Sequence, residues 1–274
     1  MNYSVLTSPE KPNFNEDVVE AVTNACWILD GATPVHKHIA IADYASCAQW
    51  LVQRFSSILK ELVEQNQHAS FQQLLRQAQE NLAHQDKKEI EQLLKEDMPS
   101  FTMAAAYISS KEIDFYVLGD CEIHILHKDK SLSMVQDNRY DEYDAHLAQV
   151  RNNLYAQKKD KNCDEYVQAR LAVKSQMNQP EGFWLGALEG DWADHLVHIT
   201  LSREEIQSFL LCSDGFSRLF ILEPNIGAQD ILDGSITINE CLERLREKEN
   251  STPDMHLRWS KKSDDASAIL AEGI

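Results

Sequence analysis

Apolar residues along this chain fall into two rhythms, and the changes between them mark the elements. Over residues 25–29 the run ACWIL is continuously apolar and stops at Asp30-Gly31, the pattern of a short buried strand ending in a turn. Across 39–66 the rhythm lengthens. Tyr44, Cys47, Ala48, Leu51, Phe55, Ile58 and Leu62 recur at spacings of three and four, which predicts one long amphipathic helix after the turn. Helical spacing continues over 70–97, with Phe71, Leu74, Leu75, Ala78 and Leu82 on one stripe, Ile90, Leu93 and Leu94 on another, and a break expected near His84. Three short runs with β character follow: FTMAAAYI, IDFYVL and EIHIL. They are separated by SSKE and by Gly119-Asp120-Cys121, and they predict an antiparallel meander.

Residues 137–180 are polar and charge-rich, with Tyr140, Tyr143, Leu147, Val150 and Leu154 spaced for a helix ahead of QKKDKN. HLVHIT and QSFLLC then read as strands, residues 230–249 as a helix, and SAIL as a last strand. Helices and strands come in blocks, which favours an α+β layered domain over a doubly wound parallel sheet. One domain over 1–274 is expected, with NSTPDM as a short candidate linker.

Composition narrows the function classes. The chain has 26 Lys and Arg against 44 Asp and Glu, a net charge of −18, so neither nucleic acid nor an anionic membrane is the expected partner. A hydrophobic fraction of 43% supplies core material that a disordered chain lacks. No apolar run approaches the roughly 18 residues of a membrane span, and MNYSVLTSPEKPNFNED lacks an apolar leader, so a cytoplasmic location is expected. The six cysteines, at 26, 47, 121, 163, 212 and 241, form no CxxC pair and are read as buried, reduced thiols.

The chemistry lies in what ends the apolar runs. CWILDG, YVLGD, FLLCSDG and KKSDDASAIL each carry the backbone to an Asp beside Gly or a second Asp, and Asn15-Glu16-Asp17 adds an acidic cluster ahead of the first strand. Any one of these turns alone has a plain explanation, because Asp and Gly are common turn residues. A glycine beside the acid also lets a backbone carbonyl approach an ion with no Cβ in the way. Carboxylates drawn together from distant parts of the chain need something positive among them, or they raise one another's pKa and weaken the fold.

In this order the five clusters resemble the metal-dependent protein phosphatase 2C family. Its chains run through an acidic pair, a strand ending in DG, a GD hairpin, an (S/T)DG turn and a late DN or DD before a strand. Here these are Asn15-Glu16-Asp17, Asp30-Gly31, Gly119-Asp120, Ser213-Asp214-Gly215 and Asp264-Asp265. The segment PSFTMAAA before Gly119 and the run LLCSDGFSRL are similar to the family as well. The resemblance implies a four-layer α/β/β/α sandwich of two antiparallel sheets flanked by helices. It implies hydrolysis of phosphoserine and phosphothreonine in proteins by a metal-activated bridging water. Asp30 would bridge two ions, Glu16 and the Gly31 carbonyl completing one and Asp214 and Asp264 the other. Asp120 would hold a weaker third, while Asp17 and Asp265 would hold waters around the ions. All-oxygen ligands of this kind suit Mn²⁺ or Mg²⁺.

The chain departs from that pattern in two places. Pro12 stands where many eukaryotic members carry a phosphate-binding Arg, leaving the adjacent Lys11 as a weak substitute without a bidentate fork. Ala32 stands where they carry a His after DG, as in bacterial-type members; His36 and His38 are the nearest candidate general acids, or simply exposed residues at a helix start. His195 and His198 are read as structural, and Lys161, Arg170 and Lys174 as a solvated face that could touch a phosphoprotein. Two other functions stay open at this point: a catalytically silent, partner-binding relative, and a hydrolase of small phosphate esters. The presence of Glu16, Asp30, Asp214 and Asp264 speaks against the silent relative.

Overall fold

The computed structural model describes residues 1–11, 14–32, 34–35, 40–66, 69–94, 97–252, 259 and 261–274. Pro12, His36, His38 and the last three residues of NSTPDM lie outside them. The first third contains β1 (Asn2–Ser8), β2 (Asp17–Val22), β3 (Ala25–Ala32), α1 (Cys47–Gln65), α2 (Phe71–Gln85) and α3 (Lys87–Ile90). The middle contains β4 (Ser100–Ile108), β5 (Glu112–Leu118), β6 (Glu122–His127), β7 (Leu132–Gln136), α4 (Asp141–Ala156), α5 (Asp164–Lys174) and β8 (Gly186–Ala187). The last part contains β9 (Val197–Ser202), β10 (Ile206–Cys212), α6 (Asp214–Leu222), α7 (Ala228–Leu232), α8 (Ile238–Ser251) and β11 (Ala266–Glu272).

The strands form two sheets, ordered β1-β11-β10-β6-β7 and β2-β3-β4-β5-β9, with β8 added on β4. Continuously apolar strands explain why both sheets are covered on two sides. In β3, Ala25, Trp27 and Leu29 pack toward one core with α1 and α2, while Cys26 and Ile28 pack toward a second core shared by the two sheets. In β10, Phe209 and Leu211 face that shared core, and Leu210 and Cys212 face a third one with α6, α7 and α8. Alternate residues of one strand thus point to opposite faces, and four layers follow. Phe115 and Phe209 meet edge to face across the inter-sheet layer, ring centroids 5.1 Å apart.

Several local expectations need correction. The first long helix starts at Cys47, because Ser46 caps it: its Oγ accepts the Gln49 N–H at 3.0 Å. Tyr44 lies before the helix and bridges Ile41 instead. The helical break falls at Asp86, and the helix expected over 230–249 is two, α7 and α8, parted at Gly234 with φ +83°. The expected meander is not one. β4 and β5 pair in one sheet, but β6 pairs β10 in the other, so Gly119-Asp120-Cys121 is a crossing between sheets. Gly119 makes the crossing possible: its φ is +72°, and a Cβ there would lie 2.6 Å from Thr102 Cγ2. Of the six thiols, five are buried and Cys163 is half-buried.

Candidate active site

Alternation in β3 sends Asp30 to the same side as Cys26 and Ile28, one position past the apolar inter-sheet layer. In register it lies opposite Asp17 of β2 and Thr102 of β4. Two carboxylates therefore oppose each other on neighbouring strands, a pairing that is destabilising when both are charged. Asp17 is 2% exposed, and neither of its carboxylate oxygens has a hydrogen-bond partner among the described residues. The nearby Ser267 hydroxyl donates to Thr7 Oγ1 at 3.0 Å. Burial pushes Asp17 well above the ordinary carboxylate range, and the charges of Asp265, Asp264 and Asp214 add to it. Asp30 is raised likewise, by burial first and then by Asp17, Asp214, Asp120 and Asp264.

Glu16 is held from three sides. Its N–H donates to Asp265 Oδ2 at 2.6 Å, its carbonyl accepts the Gly31 N–H at 2.9 Å, and its Oε1 accepts the Ser46 hydroxyl at 2.6 Å. A Cβ on Gly31 would sit 2.8 Å from that carbonyl, so the close pass of β3 against Glu16 depends on glycine. Asp265 also accepts the Glu10 N–H at 2.6 Å and so clamps the segment between β1 and β2 onto the start of β11. Gly215, the second residue of α6, packs still tighter, since a Cβ there would lie 1.8 Å from the Asp265 carbonyl oxygen. That contact brings Asp214 beside Asp264.

A cleft of about 1160 Å³ opens over these groups. Asp30, Asp120, Asp214 and Asp264 line it from the sheet ends, and α4, α5 and the turn between them contribute Asp144, Arg151, Lys161 and Arg170 from the far side. At Asp120, burial and the charge of Asp214 push the carboxyl up to about 7. Arg170 donates to the carbonyls of Val35 at 2.9 Å and Pro34 at 3.1 Å, and Lys174 Nζ to that of Met98 at 2.7 Å. These three basic residues are thus partly buried tethers and cleft walls rather than a solvated face. Burial lowers the pKa of Lys161, and the neighbouring charges of Lys261 and Arg170 lower it further. Lys11 is not among the cleft residues; its ammonium lies 3.8 Å from Glu10. His198 pairs with Asp114 at 2.9 Å and stacks on Tyr116, while His195 stacks on Trp184, so both are structural.

The cleft suits a divalent cation unevenly. Among the described residues, no three His, Cys, Asp or Glu side chains already close into a cation cage. On the Asp17 and Asp30 side, no side-chain cation is hydrogen-bonded to either carboxylate among the described residues, and a cation would relieve their repulsion. The Asp264 side differs. Its Oδ2 accepts Arg218 NH2 at 2.6 Å, and its Oδ1 accepts Lys261 Nζ at 2.7 Å and the Asp265 N–H at 3.1 Å. Arg218 NH2 also lies 3.6 Å from Asp214 Oδ2. Burial would raise the Asp264 carboxyl, but Lys261 and Arg218 hold it below the ordinary range.

Arg218, Lys261 and Asp144 went unnoticed in the sequence. Arg218 follows Asp214 by four residues on α6, and Lys261 precedes Asp264 by three, spacings that carry an ion-pair signal once the elements are known. Asp144 has no such signal, because only the packing of α4 brings it to the cleft.

Comparison with known proteins bears on the fold and the family. Among solved structures, the serine/threonine phosphatase PstP/Ppp of Mycobacterium tuberculosis superposes with a TM-score of 0.55 at 17% identity, covering 99% of this chain and 97% of that one. The catalytic domain of PstP in complex with two manganese ions gives 0.54 at 17% identity over the same shares of 99% and 97%. Stp1 of Staphylococcus aureus gives 0.51 at 15% identity, covering 98% of this chain and 94% of that one. At such identities the likeness shows a shared fold. No curated protein matches the sequence. The sequence model described as Protein phosphatase 2C matches residues 11–256, and by that match over nearly its whole length the chain belongs to the protein phosphatase 2C family of hydrolases.

Proposed function

We propose that the chain hydrolyses phosphoserine and phosphothreonine in proteins, using a divalent cation of the Mn²⁺ or Mg²⁺ class. The observation that carries this reading is the Asp17 and Asp30 pair. Two carboxylates oppose each other, one buried with both oxygens unpartnered among the described residues, and a cation beside them offsets the repulsion. Asp30, the Glu16 carboxylate and the Gly31 carbonyl would hold it, with Asp120 and Asp214 lining the same cleft. Asp17 adds negative charge behind them, and Asp265 fixes Glu16 through its backbone N–H. When bound, such an ion supplies Lewis acidity and a water acidic enough to attack phosphorus near neutral pH.

The remaining work falls to the chain itself. Arg151, Lys161 and Arg170 place positive charge across the cleft from the acidic floor, which draws in a phosphate dianion and orients it. By holding the Pro34 and Val35 carbonyls, Arg170 also fixes the chain that leaves Gly31. Ser217 lines the cleft, but its hydroxyl donates to the Asp214 carbonyl at 3.2 Å, a poor arrangement for a nucleophile. At about 1160 Å³ the cleft exceeds the usual small-ligand pocket of roughly 300–1,000 Å³, which favours a phosphorylated protein segment over a small phosphate ester.

The test is hydrolysis of a phosphothreonine peptide and of p-nitrophenyl phosphate, each with Mn²⁺ and then with excess EDTA. Metal-dependent turnover with a higher kcat/KM on the peptide is expected. Full turnover in EDTA overturns the cation, and no turnover on either substrate favours a silent, partner-binding protein.

A further inference from the structure

Asp264 has no free carboxylate oxygen. Lys261 Nζ sits 2.7 Å from Oδ1 and Arg218 NH2 sits 2.6 Å from Oδ2, so both faces that an ion would use carry a side-chain cation. Neither cation is a passing surface group. Arg218 is 3% exposed, its guanidinium carbon is 5.4 Å from the centre of the Trp259 ring, and Nε and NH1 have no hydrogen-bond partner among the described residues. Its NH2 reaches Asp264 Oδ2 at 2.6 Å and lies 3.6 Å from Asp214 Oδ2. Opening a buried pair of this kind to admit a metal ion leaves a guanidinium buried without its partner. The Asp17 and Asp30 side shows the opposite, with negative charge and no side-chain cation hydrogen-bonded to either carboxylate among the described residues.

We propose that Arg218 and Lys261 take the place of the second metal ion, so that the chain binds one exchangeable divalent cation, at Asp30, Glu16 and Gly31, beside a fixed side-chain cation pair on Asp214 and Asp264. This rests on the metal-dependent reading of the site and narrows it. Charge balance on the phosphoryl group is then shared between one metal ion and the guanidinium and ammonium groups, which do not dissociate in chelator. A second ion enters Asp214 and Asp264 only by breaking the buried pair, which weakens it by about 100-fold or more relative to the first.

The experiment counts Mn²⁺ on the full chain by metal analysis after equilibrium dialysis, with electron paramagnetic resonance of the bound ions. The wild type is expected to hold one Mn²⁺ per chain, with no exchange-coupled pair signal. Asp264→Asn is expected still to hold one. The double variant Arg218→Met, Lys261→Met is expected to hold two and to show the coupled signal. Two ions of similar affinity in the wild type, or loss of one ion in Asp264→Asn, overturns the inference while leaving the metal-dependent reading in place. No bound ion at all overturns both. Should the double variant fail to fold, the wild-type count and Asp264→Asn decide the question.

Discussion

Replacing Asp17 by Asn tests whether the cleft is built around a missing positive charge. Directly opposed residues on antiparallel strands have Cβ atoms about 5 Å apart, and two unit charges at that distance repel by about 3 kcal/mol at an effective dielectric of about 20. That is a ceiling, because the raised carboxyls keep a proton over part of the pH range. An expected gain of about 1–2 kcal/mol in the metal-free protein corresponds to a rise in Tm of roughly 2–8 °C for a chain of this size. The sign with pH follows from linkage. The folded Asp17 carboxyl lies above its unfolded value, so the unfolded state releases its proton first and the charge costs stability progressively as pH rises above about 4. The benefit of the uncharged amide is therefore small at pH 5 and larger at pH 8. Saturating Mn²⁺ removes it, since the carboxylate then faces a cation. Melting curves followed by circular dichroism, at both pH values with Mn²⁺ or with EDTA, measure all four cases. A lower Tm for Asp17→Asn in EDTA at pH 8, or an equal gain with and without Mn²⁺, would refute the reasoning.

Two further substitutions probe separate parts of the site. Gly215→Ala places a Cβ 1.8 Å from the Asp265 carbonyl oxygen, so it should cost about 3 kcal/mol or more, read as a lower urea midpoint, or prevent folding; a wild-type midpoint would mean that α6 does not sit this close to β11. Asp120→Ala should lose most of the catalytic rate while still binding the Mn²⁺ at Asp30, because Asp120 lies at the crossing between the sheets and not beside Glu16; full activity would remove Asp120 from the chemistry.

Much of the architecture was legible because apolar runs announce themselves. ACWIL and QSFLLC read as strands, and helices and strands in blocks favoured a layered α+β domain, while the pair of sheets was implied only by the family resemblance. The weaker strands were not legible. β1 and β7 are largely exposed and lack a clean period-two signal, and their place comes from pairing with β11 and β6. The acids stood out at the ends of apolar runs and their order along the chain matched a family, but the turn read at Asp30-Gly31 is not one, because β3 continues through both residues to Ala32.

What the sequence determined by itself is the set of groups: which acids end which apolar runs, and which glycines stand beside them. Tertiary structure alone decided their relations. Asp17 opposes Asp30 because of the β2 and β3 register, a contact between residues 13 apart in the chain. Asp264 meets Arg218 across 46 residues of sequence, through the packing of α6 against the start of β11. The same crossing that looked like a hairpin at Gly119 moves the chain to the other sheet and sets Asp120 in the cleft. The physical reason is range. Turn formation and helical spacing act over a few residues and can be read locally. The balance between carboxylates and the cations that answer them depends on distances of a few ångströms between segments far apart in the chain, which only the packed layers bring together.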